Sequence, residues 1–390
     1  MTADRYTPME MIEKLVGFPT VSSDSNLDLI EFVRSYLAGH GIESRLTYDD
    51  EKRKANLFAT IGPDSAGGVM LSGHTDVVPV AGQPWESDPF TLTKRGDKLY
   101  GRGTSDMKSF IAVALALIPD FQKAGLRRPI HLALSYDEEV GCFGVGRMLR
   151  DIAANLPLPA MAIIGEPTSM QLANRHKGDV VLCTAFTGRD GHSSAPHRGL
   201  NAIAAAAEFV TFLSRLADEL REQGPHDDSF DPPYTTFNVG QIEGGTAFNI
   251  VARHCQVIWE FRPLPGVAPE SVTARIREFA EGELLARMRR VAEEAAVETM
   301  TLCALPPLMP ETDSPAEALI RALTGVNDAI GVAFGTEAGH FQQTGIPAVV
   351  FGPGSIQQAH KPNEFIEIAQ VEACVGFMRK LAGWAASAPA

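Results

Sequence analysis

Two histidines and at least three carboxylates in this chain stand just past the ends of apolar runs. "VMLSG" is followed by His74-Thr75-Asp76, "IHLALSY" by Asp137-Glu138-Glu139, and "MAIIG" by Glu166. After "AVVFG", a Gly/Pro-rich loop, "PGSIQQ", leads to His360. Asp106 stands in "GRGTSDMKSF", just ahead of the apolar run "FIAVALALI", in an N-cap-like position. Clustered carboxylates raise one another's pKa unless cations neutralise them. Imidazole and carboxylate donors suit zinc and related divalent ions. Five ligands, one of them bridging, fit two ions about 3.5–4 Å apart. Taken singly, each residue has an ordinary reading: Asp106 caps a helix, Glu166 before Pro167 is a turn residue, and His74 or His360 is a hydrogen-bonded or surface histidine. The set, at one edge, is what points to a metal centre.

The elements that must hold these groups are short apolar strands alternating with helical patterns, as in an α/β sheet. "NLFATIG", "VMLSG", "IHLALSY", "MAIIG" and "AVVFG" read as its strands, and residues 370–385 as the last helix. In open α/β sheets, ligands bind outside the carboxyl ends of the strands, where the acidic and imidazole groups fall. The middle of the chain reads differently. "DVVLCTAFTG", "TTFNVGQIEGG", "HCQVIWEFRPLPG" and "VETMTLCALPP" read as strands, and two long amphipathic stretches, "GLNAIAAAAEFVTFLSRLADELREQG" and "ESVTARIREFAEGELLARMRRVAEEAA", as helices. Their order, β-α-β-β-α-β, is the ferredoxin-like split arrangement. The expected layout is an α/β domain of residues 1–178 and 307–390, a mixed sheet flanked by helices, with a smaller α+β domain of residues 179–306 inserted into it.

The bulk composition is compatible with this. A chain of 390 residues that is 45% hydrophobic suits two packed domains. A net charge of −14 argues against nucleic acid or an anionic membrane surface as partner. The five cysteines are odd in number and far apart with no CxxC pair, which argues against a disulfide framework or thiolate zinc site and for a reducing cytoplasm. The longest strongly apolar run has nine residues, a buried helix and too short to span a bilayer.

"SGHTDVVP", "GRGTSDMK", "YDEEVG", "GEPT" and "QAHKPNE", in this order along nearly the whole chain, resemble the M20 metallopeptidases. The resemblance implies a co-catalytic di-zinc fold with an inserted lid and dimerisation domain, and hydrolysis of amides of N-acylated amino acids and small peptides. It implies two divalent ions, zinc first, with cobalt or manganese as alternatives. His74 and Glu166 would share one ion and Glu139 and His360 the other, with Asp106 as the bridge. Asp76 would orient His74, and Glu138 would be the general base, passing the proton of the attacking water to the leaving amine. Family members also tend to have a cis peptide after the bridging Asp, here Asp106–Met107.

From the insert, His192 in "GRDGHSSAPHRGLNAI" would reach the active site across a dimer contact and donate to the developing oxyanion. Asn249 and Arg262 would be the substrate-holding pair, with the Arg262 fork clamping the α-carboxylate and Gly335 and Thr336 adding contacts. On residue type alone, His192 reads as a turn residue and Arg262 as an ordinary ion pair on a strand.

"GHSSAPHRGLNAI", "FRPLPG", "TEA" and "GPGSIQQAH" resemble the branch of the family that acts on N2-acetyl-L-ornithine, giving L-ornithine and acetate on the way to arginine. Glu337 would then meet the substrate's side-chain ammonium. "GTEAGHF" departs from that branch at Gly339-His340. A desuccinylase of N-succinyl-diaminopimelate, or another N-acyl-amino-acid amidohydrolase, would carry the same metal residues. A non-catalytic binding protein on this scaffold would lack a ligand or the base, and here all are filled. A phosphate-ester hydrolase would favour extra cationic groups and a Gly-rich phosphate loop, which the chain lacks.

Overall fold

The computed structural model describes residues 4–387, and the chain divides into two compact units. The first comprises Met1–Arg175, Leu308–Gly331 and Thr336–Ala390; the second comprises His176–Pro307 and Val332–Gly335. At the centre of the first lies the mixed sheet expected from the alternating apolar runs. Its strands run in the order Ser44–Tyr48, Ala55–Ile61, Ile130–Ser135, Val69–His74, Met161–Ile164, Ala348–Val350, Ala173–His176 and Ile330–Val332. The four from Ile130–Ser135 to Ala348–Val350 are mutually parallel, and antiparallel strands flank them.

Every residue of these four strands is buried, as befits parallel strands covered on both faces. Helices Pro8–Val16, Lys108–Ala116, Pro315–Thr324 and Ile368–Ala386 contribute to the core around them. All nine residues of Lys108–Ala116 are buried, as its apolar run predicts, and Pro119 falls in the first turn of the next helix, Ile118–Ala124. Because the central strands are parallel, their carboxyl ends share one edge, and His74, the 136–139 turn, Glu166 and the loop to His360 leave from it.

The second unit is an antiparallel sheet in the order Thr236–Gly244, His254–Arg262, Asp179–Thr187 and Ala296–Leu305. Helix Ala202–Gln223 and a second helical segment complete the β-α-β-β-α-β order. Alternate residues of His254–Arg262 are buried, the mark of a sheet covered on one face. Trp259 lies in that core, and its indole N–H donates to the Thr184 hydroxyl at 3.0 Å.

Four elements differ from the sequence reading. The second helix is not continuous: Pro269–Arg277 passes into a π-helical stretch, Glu278–Leu284, and then Leu285–Arg289, so "VAEEAA" lies beyond it. Gly282 sits inside the π-helical stretch, where its low helix propensity favours the irregularity. The strands Ser44–Tyr48, Ala173–His176 and Ile330–Val332 complete the large sheet, although their few apolar residues give no clear period. Among the described residues, no helix is long and apolar enough to cross a membrane.

Candidate active site

His74 is the last residue of its strand and is buried. Its Nε2 lies 3.0 Å from Asp106 Oδ1, 3.6 Å from Glu166 Oε1 and 4.0 Å from Glu138 Oε2. His360 Nε2 lies 2.9 Å from Glu139 Oε2 and 3.4 Å from Asp106 Oδ2. Asp106 therefore turns one oxygen to each histidine. It does not cap the buried helix: the cap position is Met107, with no side-chain cap bond. The peptide bond between Asp106 and Met107 is cis.

Close packing fixes these approaches. A Cβ on Gly165 would run into the Phe110 ring, so only glycine lets the strand before Glu166 lie against the buried helix. Asp76 works on four neighbours. Its backbone carbonyl lies 2.9 Å from His74 Nδ1, while its carboxylate is 3.7 Å from that nitrogen. The carboxylate instead accepts the backbone N–H groups of Glu138 at 3.1 Å and Glu139 at 3.3 Å, and the Ser22 hydroxyl at 2.7 Å. The ring is thus held by the Asp76 main chain, and the two glutamates by its side chain. Asp137, the third adjacent acid, has φ of 57° and pairs with Lys54, whose Nζ also reaches the Ser22 carbonyl.

The electrostatics call for cations. Burial pushes Glu138 and Glu166 well above the usual carboxylate range, and Glu139 to about 7, with neighbouring carboxylates adding to the rise. Burial would lower His74, but Glu166, Asp106 and Glu138 outweigh it and hold the imidazole well above its ordinary value. Hydrogen bonds to Asp106 and Glu139 lift His360 to about 10. Glu166 Oε1 is buried without a hydrogen-bond partner. Two groups of donor atoms, His74–Asp106–Glu139 and His74–Glu138–Glu166, each lie within 4.8 Å of one another. Oxygen and imidazole donors with one carboxylate in the middle fit a pair of divalent ions.

The Glu337 carboxylate is 1% exposed and accepts from the Ser72 hydroxyl at 3.4 Å. Ser72 and His74 share a face of their strand, so Glu337 packs against that face beside the donor cluster. Thr336 is also buried, its hydroxyl accepting the Ala338 N–H at 3.0 Å.

In the second unit, Arg262 is paired on its own sheet, 3.1 Å from Asp179 and 3.3 Å from Glu260, and Gly335 lies beside Asp179. His192 and Asn249 meet elsewhere: Ser193 N–H donates to the Asn249 carbonyl at 3.1 Å, and His192 bridges to Ile250. Both are exposed. Ser194 N–H donates to His192 Nδ1 at 3.2 Å, which leaves the proton on Nε2 as an outward donor. Within one chain, Asn249 and Arg262 stand near opposite ends of one strand. Arg262 pairs in register with Thr236 at one end of its strand, while Asn249 lies in the loop that joins the other end to the neighbouring strand. The strand between them is roughly 27 Å long at about 3.4 Å per residue.

A family model described as peptidase family M20/M25/M40 matches residues 70–383. The chain is 37% identical over 380 residues to the acetylornithine deacetylase of Yersinia pseudotuberculosis serotype O:1b, covering 93% of this chain and 94% of that protein. It is 37% identical over 374 residues to the acetylornithine deacetylase of Proteus mirabilis, covering 94% and 93%. Its fold is similar to that of an M20 family metallo-carboxypeptidase from Sulfolobus solfataricus, with a TM-score of 0.76, 17% identity and coverage of 98% and 99%. It is similar also to a dinuclear metal-binding peptidase from Bacillus subtilis, with a TM-score of 0.65, 15% identity and coverage of 97% for both chains. Matched over this span by the family model and at this identity by its relatives, the chain belongs to peptidase family M20/M25/M40 and is a metal-dependent amide hydrolase.

Proposed function

We propose that the protein hydrolyses N2-acetyl-L-ornithine to L-ornithine and acetate, a step that would supply arginine synthesis. The observation that carries this reading is 37% identity over 93% of the chain to proteins named acetylornithine deacetylase. His74 and Glu166 would hold one divalent ion, Glu139 and His360 the other, with Asp106 between them. Zinc suits this donor set, and cobalt or manganese could replace it. When bound, such ions polarise an acyl carbonyl and acidify water. Five scattered cysteines with no CxxC pair fit work in a reducing cytoplasm.

The chain's own residues supply the proton traffic. Glu138, beside His74 and with its carboxyl raised by burial, takes a proton from the attacking water and returns it to the leaving amine. Asp76 fixes the backbone from which Glu138 projects. His192, protonated on Nε2, donates to the oxyanion, and Asn249 stands with it. A strand's length separates these two from Arg262, so we assign them to the site of the second copy in a homodimer. Arg262 remains the candidate for the substrate's α-carboxylate.

Acetate release from N2-acetyl-L-ornithine tests this, set against succinate release from N-succinyl-diaminopimelate with the same zinc-loaded protein. A kcat/KM at least ~10²-fold higher for the acetylated substrate is expected, in keeping with a site that rejects a mismatched polar group. The reverse order would overturn the substrate assignment and leave the hydrolase class standing.

A further inference from the structure

We propose that Arg102 and Glu364 form a buried latch that positions Asp106 and His360, and so governs the affinity for one of the two ions. The inference rests on the reading that Asp106 and His360 hold metal. Both latch residues lie in the motifs that carry these ligands, "GRGTSDMK" and "QAHKPNE", yet neither belongs to the two donor groups. They are 1% exposed and pair at 2.7 Å.

Glu364 uses both oxygens. One accepts the backbone N–H groups of Ser105 at 2.8 Å and Asp106 at 3.1 Å; the other accepts Arg102 Nη1. Arg102 Nη2 donates to Gln83 Oε1 at 2.7 Å, and Gln83 Nε2 donates to the His360 carbonyl at 3.1 Å. A continuous path of hydrogen bonds thus runs from the main chain of Asp106 to that of His360. The far end needs such an anchor. His360 sits at φ of 62°, in a loop, with its side chain 55% exposed, whereas the side chains of His74, Asp106, Glu139 and Glu166 are at most 8% exposed.

A buried ion pair is a poor source of stability, because desolvation offsets the attraction. Its value here is geometric: a carboxylate can accept two adjacent N–H groups and a guanidinium at once, which an apolar pair could not do. The latch also acts unevenly. It reaches Asp106 and His360, whereas His74 and Glu166 leave the ends of their own buried strands. Weakening it should loosen the ion on Glu139 and His360 more than the one on His74 and Glu166.

The test is zinc binding by equilibrium dialysis of the full-length protein, alongside urea unfolding. The variants are Glu364→Gln, Gln83→Leu and the double change Arg102→Met with Glu364→Met. Wild type should hold two ions. Each variant should bind the ion on Glu139 and His360 about 10–100-fold more weakly, the range seen when groups supporting a ligand are lost, with a smaller loss at the ion on His74 and Glu166. Gln83→Leu cuts the link to His360, together with the bonds that Gln83 accepts from Arg102 Nη2 and the Trp85 indole, and spares the buried Arg102–Glu364 pair, so it should fold normally. The double variant should be at least as stable as Glu364→Gln and still bind the second ion weakly, which a purely structural pair would not produce. Wild-type affinity for both ions in all variants, or an equal loss at both, overturns the latch. Fewer than two ions in wild type overturns the di-metal reading and the latch with it.

Discussion

The Asp76 carboxylate grips Glu138 by its backbone, accepting its N–H at 3.1 Å and that of Glu139 at 3.3 Å, while His74 is held by the Asp76 carbonyl. Replacing the side chain therefore leaves the histidine's partner in place and frees the two glutamates. Asp76→Ala is expected to lower kcat by about 10–100-fold and to weaken the ion on Glu139, with the ion on His74 and Glu166 retained. Asp76→Asn, which keeps one acceptor oxygen, should fall between the variant and wild type. Metal content and kcat measured together check this; loss of the His74 ion first would mean that the carboxylate acts on the imidazole after all.

Adjacent glutamates should give opposite phenotypes. Glu138→Ala is expected to keep both ions and lose about 10²–10⁴-fold in kcat, the usual contribution of a positioned base. Glu139→Ala should lose an ion. Elemental analysis of the two variants beside their turnover separates the roles, and an active Glu138→Ala protein would remove Glu138 from the mechanism.

The strands that carry the donors were readable because they are short, largely apolar and end in charged residues; that punctuation marks His74, Asp137, Glu138, Glu139 and Glu166 as a group, and the family resemblance divides the roles among them. The β-α-β-β-α-β order was readable because two helical periods interrupt four strand-like runs. Strands such as Ala173–His176, with Asn174, Arg175 and His176 in a four-residue span, have no period to detect. Partnerships across the chain were also hidden. Lys54 lies 83 residues from Asp137, and Glu364 lies 258 residues from Asp106, so no local pattern links them. Charged residues lodged in Gly- and Pro-rich motifs, as Arg102 and Glu364 are, were the available signal. Charge complementarity with an ammonium says nothing about depth, and the burial of Glu337 beside Ser72 was likewise not readable from sequence.

Burial raises the Glu337 carboxyl from 4.5 to about 7. The folded state therefore holds this proton more tightly than the unfolded chain does. The associated stability is complete below pH 4.5 and is lost as pH rises through 7, by about 3 kcal/mol at most. Glu337→Gln removes the titration. In chelator-treated protein, urea unfolding should show the variant gaining about 1–3 kcal/mol relative to wild type between pH 4.5 and 8. A pH-independent difference would mean that the carboxyl ionises normally in its buried layer.

His192 and Asn249 lie together, about a strand's length from Arg262, farther than one N-acyl amino acid extends. If each copy lends His192 to the other, Glu138→Ala and His192→Ala proteins should complement. In a mixed dimer one site lacks both groups and the other has both. Random exchange makes half the dimers mixed, so an equimolar mixture should recover roughly a quarter of wild-type kcat from two nearly inactive parents. Subunit exchange is followed by native mass spectrometry, so that activity can be compared with the measured fraction of mixed dimers. Complete exchange without recovery would place His192 in its own chain's site or outside the reaction, since a cis arrangement leaves every site in the mixed dimer short of one group.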